Sequence, residues 1–466
     1  MSIITEQLDI YKLYGKEQVT KHDVGTNKNS AKWSTDKKAL TISNLDIQSL
    51  NGVPVFQSSR PRMKLPINIF SRYLPKFLGM QYNFDEIIDR SGTDAFKYDA
   101  RKRYFGTDDV LPMWVADMDF RTPDFIVDAM KKRLEHEIFG YTLKPDSQYD
   151  AVIGWMYRRH GWKVEKDWIV FTPGVVPAFN MCILAYSNPG DKVIVQSPVY
   201  YPFFWAIDLN QRKMLNNQLV RSGDRYEMDF DDLKEKIDAS TKMMLFCSPH
   251  NPVGRVWNQK ELIELAGICQ KNNIVMISDE IHSDLIFEGY KHTPYAMLGE
   301  EFAMNSITAI APSKTFNVAG LSTSALIIPN PVLRKKFGEV VESLHIAGGN
   351  IFGSIAMEAA YTHGDEWLAQ ALNYIEGNVQ YLESFVSEHL PQLKVIHPEG
   401  TYMAWIDFSS LKMSDPELRK FMIEKVKLGM NQGPTFGVGG EGFQRINLGT
   451  PRAIVEEALS RLKNNI

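Results

Sequence analysis

From Met80 onward the chain repeats one arrangement: a short, unbroken apolar run, a polar turn, then a longer amphipathic stretch. The apolar runs are WIVFTP (168–173), DKVIVQS (191–197), MMLFCSP (243–249), NIVMISD (273–279), ITAIAPS (307–313) and TSALIIP (323–329). A strand with one wet face alternates polar and apolar residues, and these do not, so they suit a sheet covered on both faces. The segments between them have helical spacing, as in VPAFNMCILAYS, QKELIELAGICQKN and PVLRKKFGEVVESLHIA. The pattern predicts an α/β fold with a mostly parallel sheet and helices on both faces. After Asn373, NYIEGNVQYLESFVSEHL, TYMAWIDFS and RAIVEEALSRLKN predict a smaller α+β domain.

The first 79 residues break this regularity. KHDVGTNKNSAKWSTDKK is polar, and prolines interrupt SSRPRMKLPINIF, so residues 1–79 are expected to be disordered or a spurious N-terminal extension. The segment holds 12 Lys and Arg against 6 Asp and Glu, leaving 40 against 50 in residues 80–466. An acidic body argues against nucleic acid as a ligand. A basic leader joined to such a body raises one remote alternative, a DNA-binding regulator, but the leader lacks the amphipathic helices of a helix-turn-helix. No run reaches the roughly 18 apolar residues of a membrane span. Cys182, Cys247 and Cys269 have neither disulfide nor zinc spacing, which points to a reducing cytoplasm.

In open α/β sheets ligands bind beyond the carboxyl ends of the strands. At those positions Gly174, with the amides of Val175 and Val176, either cups a phosphate at a helix N-terminus or makes an ordinary turn. Tyr200 stacks on a flat ring or packs in the core, and Asn251 presents an amide or only shapes its turn. Asp279 ends an apolar strand, where a carboxylate needs a cation or hydrogen bonds; it either serves a ligand, or caps a following helix or pairs with a structural arginine, with His282 one helical turn later. Lys314 follows the next strand, between Ser313 and Thr315. A phosphate cup, an aromatic plate, an amide, a carboxylate and a lysine are the parts that hold pyridoxal 5′-phosphate, whose aldehyde condenses with a lysine amine. No P-loop, dinucleotide glycine fingerprint or HExxH metal motif competes.

The motifs PMWVADMDF, SPHNPVGRVW, SDEIHSDL, APSKTFNVAGL, EAAYTHGDEWL and RINLGTPR, in this order, resemble the fold-type I pyridoxal-phosphate enzymes of the class I/II aminotransferase superfamily. Within it, WVADMDF and DEIH are most similar to the MalY/PatB subgroup of cystathionine or cysteine-S-conjugate β-lyases. The resemblance implies that Lys314 holds the cofactor covalently, Asp279 pairs with its ring nitrogen, Asn251 bonds its hydroxyl oxygen, Tyr200 stacks on the ring, and Val175, Val176 and Ser313 hold the phosphate. It further implies a homodimer in which Tyr141 reaches the neighbouring subunit's phosphate, Arg445 forking the α-carboxylate of a sulfur amino acid, and the segment at Ala116 and Asp117 closing near that carboxylate. His282 stands where many aminotransferases of the superfamily have tyrosine. The implied divisions are an N-terminal arm with part of the small domain (80–120), a large cofactor-binding domain (121–352) and a C-terminal small domain (353–466). The implied reaction is β-elimination to thiol, pyruvate and ammonia; the alternative is transamination, and the remote one a cofactor-sensing regulator.

Overall fold

The computed structural model describes residues 81–466, together with the backbone of 31–33 and 40–42. Contacts divide the chain into two units, Met1–Gln81 and Tyr82–Ile466. In the first, Ala31–Trp33 pairs antiparallel with Leu40–Ile42. The expectation for residues 1–79 otherwise lies outside the described residues.

The second unit is built on a seven-stranded sheet. Its strands in chain order are β1 (Ile169–Thr172), β2 (Lys192–Val195), β3 (Lys213–Asn216), β4 (Thr241–Cys247), β5 (Val275–Asp279), β6 (Ser306–Ile310) and β7 (Ser324–Ile327). Their spatial order is β1-β7-β6-β5-β4-β2-β3. Only β7 runs against its two neighbours; the β2, β3, β4, β5 and β6 pairings are parallel. All six expected apolar runs are strands of this sheet, and β3, whose outer residues Lys213 and Met214 are exposed, completes its edge.

The unbroken apolar character follows from burial on both sides. In β4, Met243, Leu245 and Cys247 enter one core cluster, with Ala178 and Phe179 of helix α1 (Val175–Tyr186). Met244 and Phe246 enter another, with Leu262, Leu265 and Ala266 of helix α2 (Gln259–Lys271). Helix α2 opens with a capping box, in which the Asn258 side chain accepts from the Glu261 amide while the Glu261 carboxylate accepts from the Asn258 N–H.

A four-stranded antiparallel sheet follows the long helix Asp365–His389. Its strands β8 (Lys394–Ile396), β9 (Met403–Asp407), β10 (Asn431–Gln432) and β11 (Phe443–Asn447) lie in the order β8-β9-β11-β10. Register pairs Trp405 of β9 with Arg445 of β11 and Met403 with Asn447. Arg445 and Asn447 alternate with Ile446, which is buried in the core.

Candidate active site

The carboxyl ends of β1, β2, β4, β5 and β6 surround a cavity of about 170 Å³. Gly174, Val175, Val176, Tyr200, Asn251, Asp279, His282, Ser313 and Lys314 all line it, so nine of the residues singled out in the sequence share one space. Cys247, Ala116 and Thr323 line it as well.

Gly174 has φ +139°, a conformation side-chain-bearing residues rarely adopt, and it immediately precedes α1. The first amides of that helix, including those of Val175 and Val176, have no acceptor within the helix and carry its positive dipole end into the cavity. Lys314 belongs to a one-turn helix, Pro312–Thr315, and is half-buried. Its ammonium donates to the Ala116 carbonyl at 2.6 Å. Burial brings its pKa down to about 8; Arg445 pushes the same way, and Asp117 and Asp279 oppose.

Asp279 is 3% exposed and ends β5. It takes one hydrogen bond, from the Ile281 amide at 3.2 Å, and has no ion-pair partner among the described residues. Burial pushes its pKa up to about 7, against the opposing Ile281 bond and the Lys314 charge. No helix follows it: Ile281–Asp284 is a turn, so Asp279 caps nothing, and His282 reaches the cavity from that turn rather than one helical turn on. The backbone is held in that turn by acids bonded mostly to groups distant in sequence. Glu280 accepts from Ser278 Oγ at 2.8 Å and the Tyr295 amide at 2.9 Å and pairs with His292 at 2.9 Å. Asp284 accepts from Trp155 Nε1 and Thr315 Oγ1. His282 is kept neutral by burial, reinforced by the Lys314 and Arg445 charges, with a pKa pushed down to about 3; its Nδ1 has no protein partner.

Arg445 stands behind Asn251 rather than in the cavity lining. Its guanidinium donates to Asn251 Oδ1 at 2.8 Å, the Trp114 carbonyl at 2.9 Å and Asn431 Oδ1 at 2.6 Å, while Nε is buried without a partner. It lies 4.9 Å from the Phe436 ring centre. Tyr141 is fully exposed and does not line this chain's own cavity.

The segment 114–120 crosses the site and was only partly legible. Its carbonyls are taken by side chains from several elements: Trp114 by Arg445, Val115 and Asp117 by Asn447, Ala116 by Lys314 and Tyr402, Met118 by Arg90 and Asn317, and Phe120 by Asn317. Arg90 also pairs with Asp117 and Asp119, and the buried Lys97 pairs with Asp119 at 2.5 Å. Tyr402 carried no signal of its own, since it borders an apolar strand, Asn431 lies in a two-residue strand too short to read, and Asn447 was visible only within the RINLGTPR motif, without a role.

A desolvated lysine, a buried acid awaiting a cation, an unpartnered imidazole nitrogen and a helix N-terminus around one cavity fit pyridoxal 5′-phosphate. They define a fold-type I enzyme site. The chain belongs to the family described as Aminotransferase class I and II, whose profile matches residues 108–462. It is similar to cystathionine beta-lyase PatB of Bacillus subtilis (strain 168), 46% identical over 382 residues, 82% of this chain and 99% of the relative. Protein MalY of Escherichia coli (strain K12) is 32% identical over 389 residues, 83% and 99% of the two chains. The crystal structure of cystalysin from Treponema denticola, which contains pyridoxal 5′-phosphate, superposes with TM-score 0.81 at 38% identity, covering 83% of this chain and 99% of that one.

Proposed function

We propose that this chain is a pyridoxal 5′-phosphate-dependent carbon–sulfur β-lyase, which cleaves cystathionine or another cysteine S-conjugate to a thiol, pyruvate and ammonia. The carrying observation is the buried Asp279 carboxylate, without a cation, in the same cavity as the desolvated Lys314. The name of the relative at 46% identity, cystathionine beta-lyase PatB, favours lyase chemistry over transamination.

When bound, the cofactor supplies an aldehyde that captures the substrate amine and a ring that accepts the electron pair left at Cα. Lys314 holds the aldehyde at rest and, once released, takes the Cα proton on Nζ; with its pKa near 8 roughly a fifth of the amine is neutral at about pH 7.4, against under about 1% for an ordinary lysine. Asp279 would keep a proton on the ring nitrogen and, beside that cation, would itself be ionised. Val175, Val176 and Ser313 hold the phosphate, Tyr200 stacks on the ring, and Asn251 bonds the ring hydroxyl oxygen. Arg445 is assigned the substrate carboxylate, which it would fork in a way a lysine cannot once its guanidinium turns from Asn251 and Asn431 toward the cavity. His282 contributes a neutral imidazole.

The reading extends to a cytoplasmic homodimer in which Tyr141 completes the partner's phosphate site. No helix among the described residues is long and apolar enough to cross a membrane. The larger sheet lies within 121–352 and the smaller within 353–466, which supports the division into a large cofactor-binding domain and a C-terminal small domain, the latter joined by part of 80–120.

The test is L-cystathionine supplied without any 2-oxo acid. Sustained release of pyruvate and thiol is expected, and none from Lys314→Ala. A single half-turnover that stops with the cofactor as its amine overturns the lyase reading, and a covalent cofactor adduct retained by Lys314→Ala overturns the lysine assignment.

A further inference from the structure

The Ala116 carbonyl accepts two hydrogen bonds in the site, from Lys314 Nζ at 2.6 Å and from the Tyr402 hydroxyl at 2.9 Å. We propose that Tyr402 is a positioning residue for Lys314, whose phenol, by occupying the Ala116 carbonyl, weakens that oxygen as an acceptor for an ammonium and so favours the neutral amine. The inference deepens the reading of Lys314 as the base.

Two donors on one oxygen compete, because each draws electron density from the lone pairs the other uses. A charged donor loses more by this than a neutral one, since its hydrogen bonds are about twice as strong. The phenol's positive end also faces the ammonium across the shared oxygen. Both effects disfavour the protonated lysine, while the carbonyl still fixes where Nζ rests. A neutral amine donating one N–H to Ala116 keeps its lone pair free for a proton.

Tyr402 is suited to this role. It is 1% exposed, and its ring lies 5.9 Å edge-to-face from that of His282. Burial raises its own pKa well above the usual phenol value, so the hydroxyl remains a donor throughout the working range. The acceptor is equally fixed, because the carbonyls on either side of Ala116 are bonded to Asn447. The charged groups facing Lys314 are Asp117 from the same segment, Asp279 at the end of β5, which titrates near 7 in both the unsubstituted chain and the variant, and Arg445 on β11. His282 and Tyr200 are neutral in this range, as is the Cys247 thiol at the end of β4. None of these groups touches the Ala116 oxygen, so removing the phenol isolates its effect.

The experiment measures acetylation of Lys314 by dilute acetic anhydride in the cofactor-free full-length chain, read by peptide mass spectrometry from pH 6 to 11. Reactivity follows the neutral amine. In Tyr402→Phe the midpoint is expected to rise by roughly 0.5 to 1 unit, the scale of one weakened hydrogen bond to a charge, and the alkaline shift of the pH–rate profile of the loaded enzyme should match it. An unchanged or lowered midpoint overturns the proposal. If circular dichroism shows that the variant does not fold, the unsubstituted chain is used instead. Ala116–Asp117 is its only Ala-Asp step, so [1-13C]alanine with [15N]aspartate isolates one carbonyl resonance. That resonance must titrate with the acetylation midpoint; a flat response overturns the proposal. The acetylation and carbonyl readouts involve neither cystathionine nor the cofactor's covalent attachment, so their failure leaves the lyase reading standing.

Discussion

Asp279 is costly to the chain without its ligand. Its folded pKa of about 7 lies above the ordinary 3.8 because burial disfavours the charged form. The sign follows: between these values the folded state binds more protons than the unfolded one. The stability Asp279 contributes is therefore complete below about pH 4 and is lost as pH rises through 7. In the cofactor-free protein, Asp279→Asn should raise the melting temperature at pH 8, by an amount that shrinks toward zero near pH 4. The same variant loaded with cofactor should lose roughly 10²- to 10³-fold in kcat, the scale of one misplaced electrostatic partner. Thermal unfolding against pH checks the first outcome; an Asn variant less stable at pH 8 contradicts it. This residue was legible because a carboxylate directly ends an apolar strand. Lys314, Asn251, Tyr200 and Gly174 were legible for the same reason, as the first polar or unusual positions beyond buried runs. Arg445 needed the family resemblance, since its position depends on pairing between β9 and β11. Tyr402 was hidden: in EGTYMAWID it reads as one more aromatic of a core strand.

The helix that carries Lys314 is one turn long, Pro312–Thr315, too short to persist by its own hydrogen bonds. Its last residue anchors it: Thr315, fully buried, donates to Asp284 at 2.9 Å. Asp284 also accepts from Trp155 Nε1 at 3.1 Å, on the helix Asp146–His160. The lysine's backbone is thus tied through one carboxylate to a helix of the surrounding core. Thr315→Val keeps the shape and removes the donor, leaving a buried carboxylate short of a bond. It should cost about 1–3 kcal/mol in urea unfolding and speed cofactor loss, measured by dilution of the loaded enzyme. A variant with unchanged stability and retention would show that packing alone holds the turn. At this scale strands were more legible than turns. Apolar runs announce a doubly covered sheet, whereas the Glu280–Asp284 stretch is shaped by Ser278, His292, Tyr295, Trp155 and Thr315, four of which are remote in sequence from Asp284 or Glu280.

Ile138, Phe139, Tyr141 and Leu143 are exposed within six residues, Tyr141 completely so. Exposed apolar side chains gathered this densely are the kind of surface that the proposed second copy of the chain would cover. If Tyr141 serves the partner's phosphate site while Lys314 serves its own, two defective chains can repair each other. Tyr141→Ala and Lys314→Ala are each expected to be nearly inactive at low cofactor concentration. In a mixed dimer, the Tyr141→Ala chain supplies an intact Lys314 and the Lys314→Ala chain supplies an intact Tyr141, so one of the two sites is whole. A closed two-fold dimer that exchanges subunits at random makes about half its population mixed. Equal mixing after dissociation should therefore restore about a quarter of the wild-type rate. Sedimentation must show a dimer before and after mixing. Absence of any recovery in exchanged dimers would place Tyr141 outside the partner's site, because no arrangement with each site built from one chain can be rescued by the other.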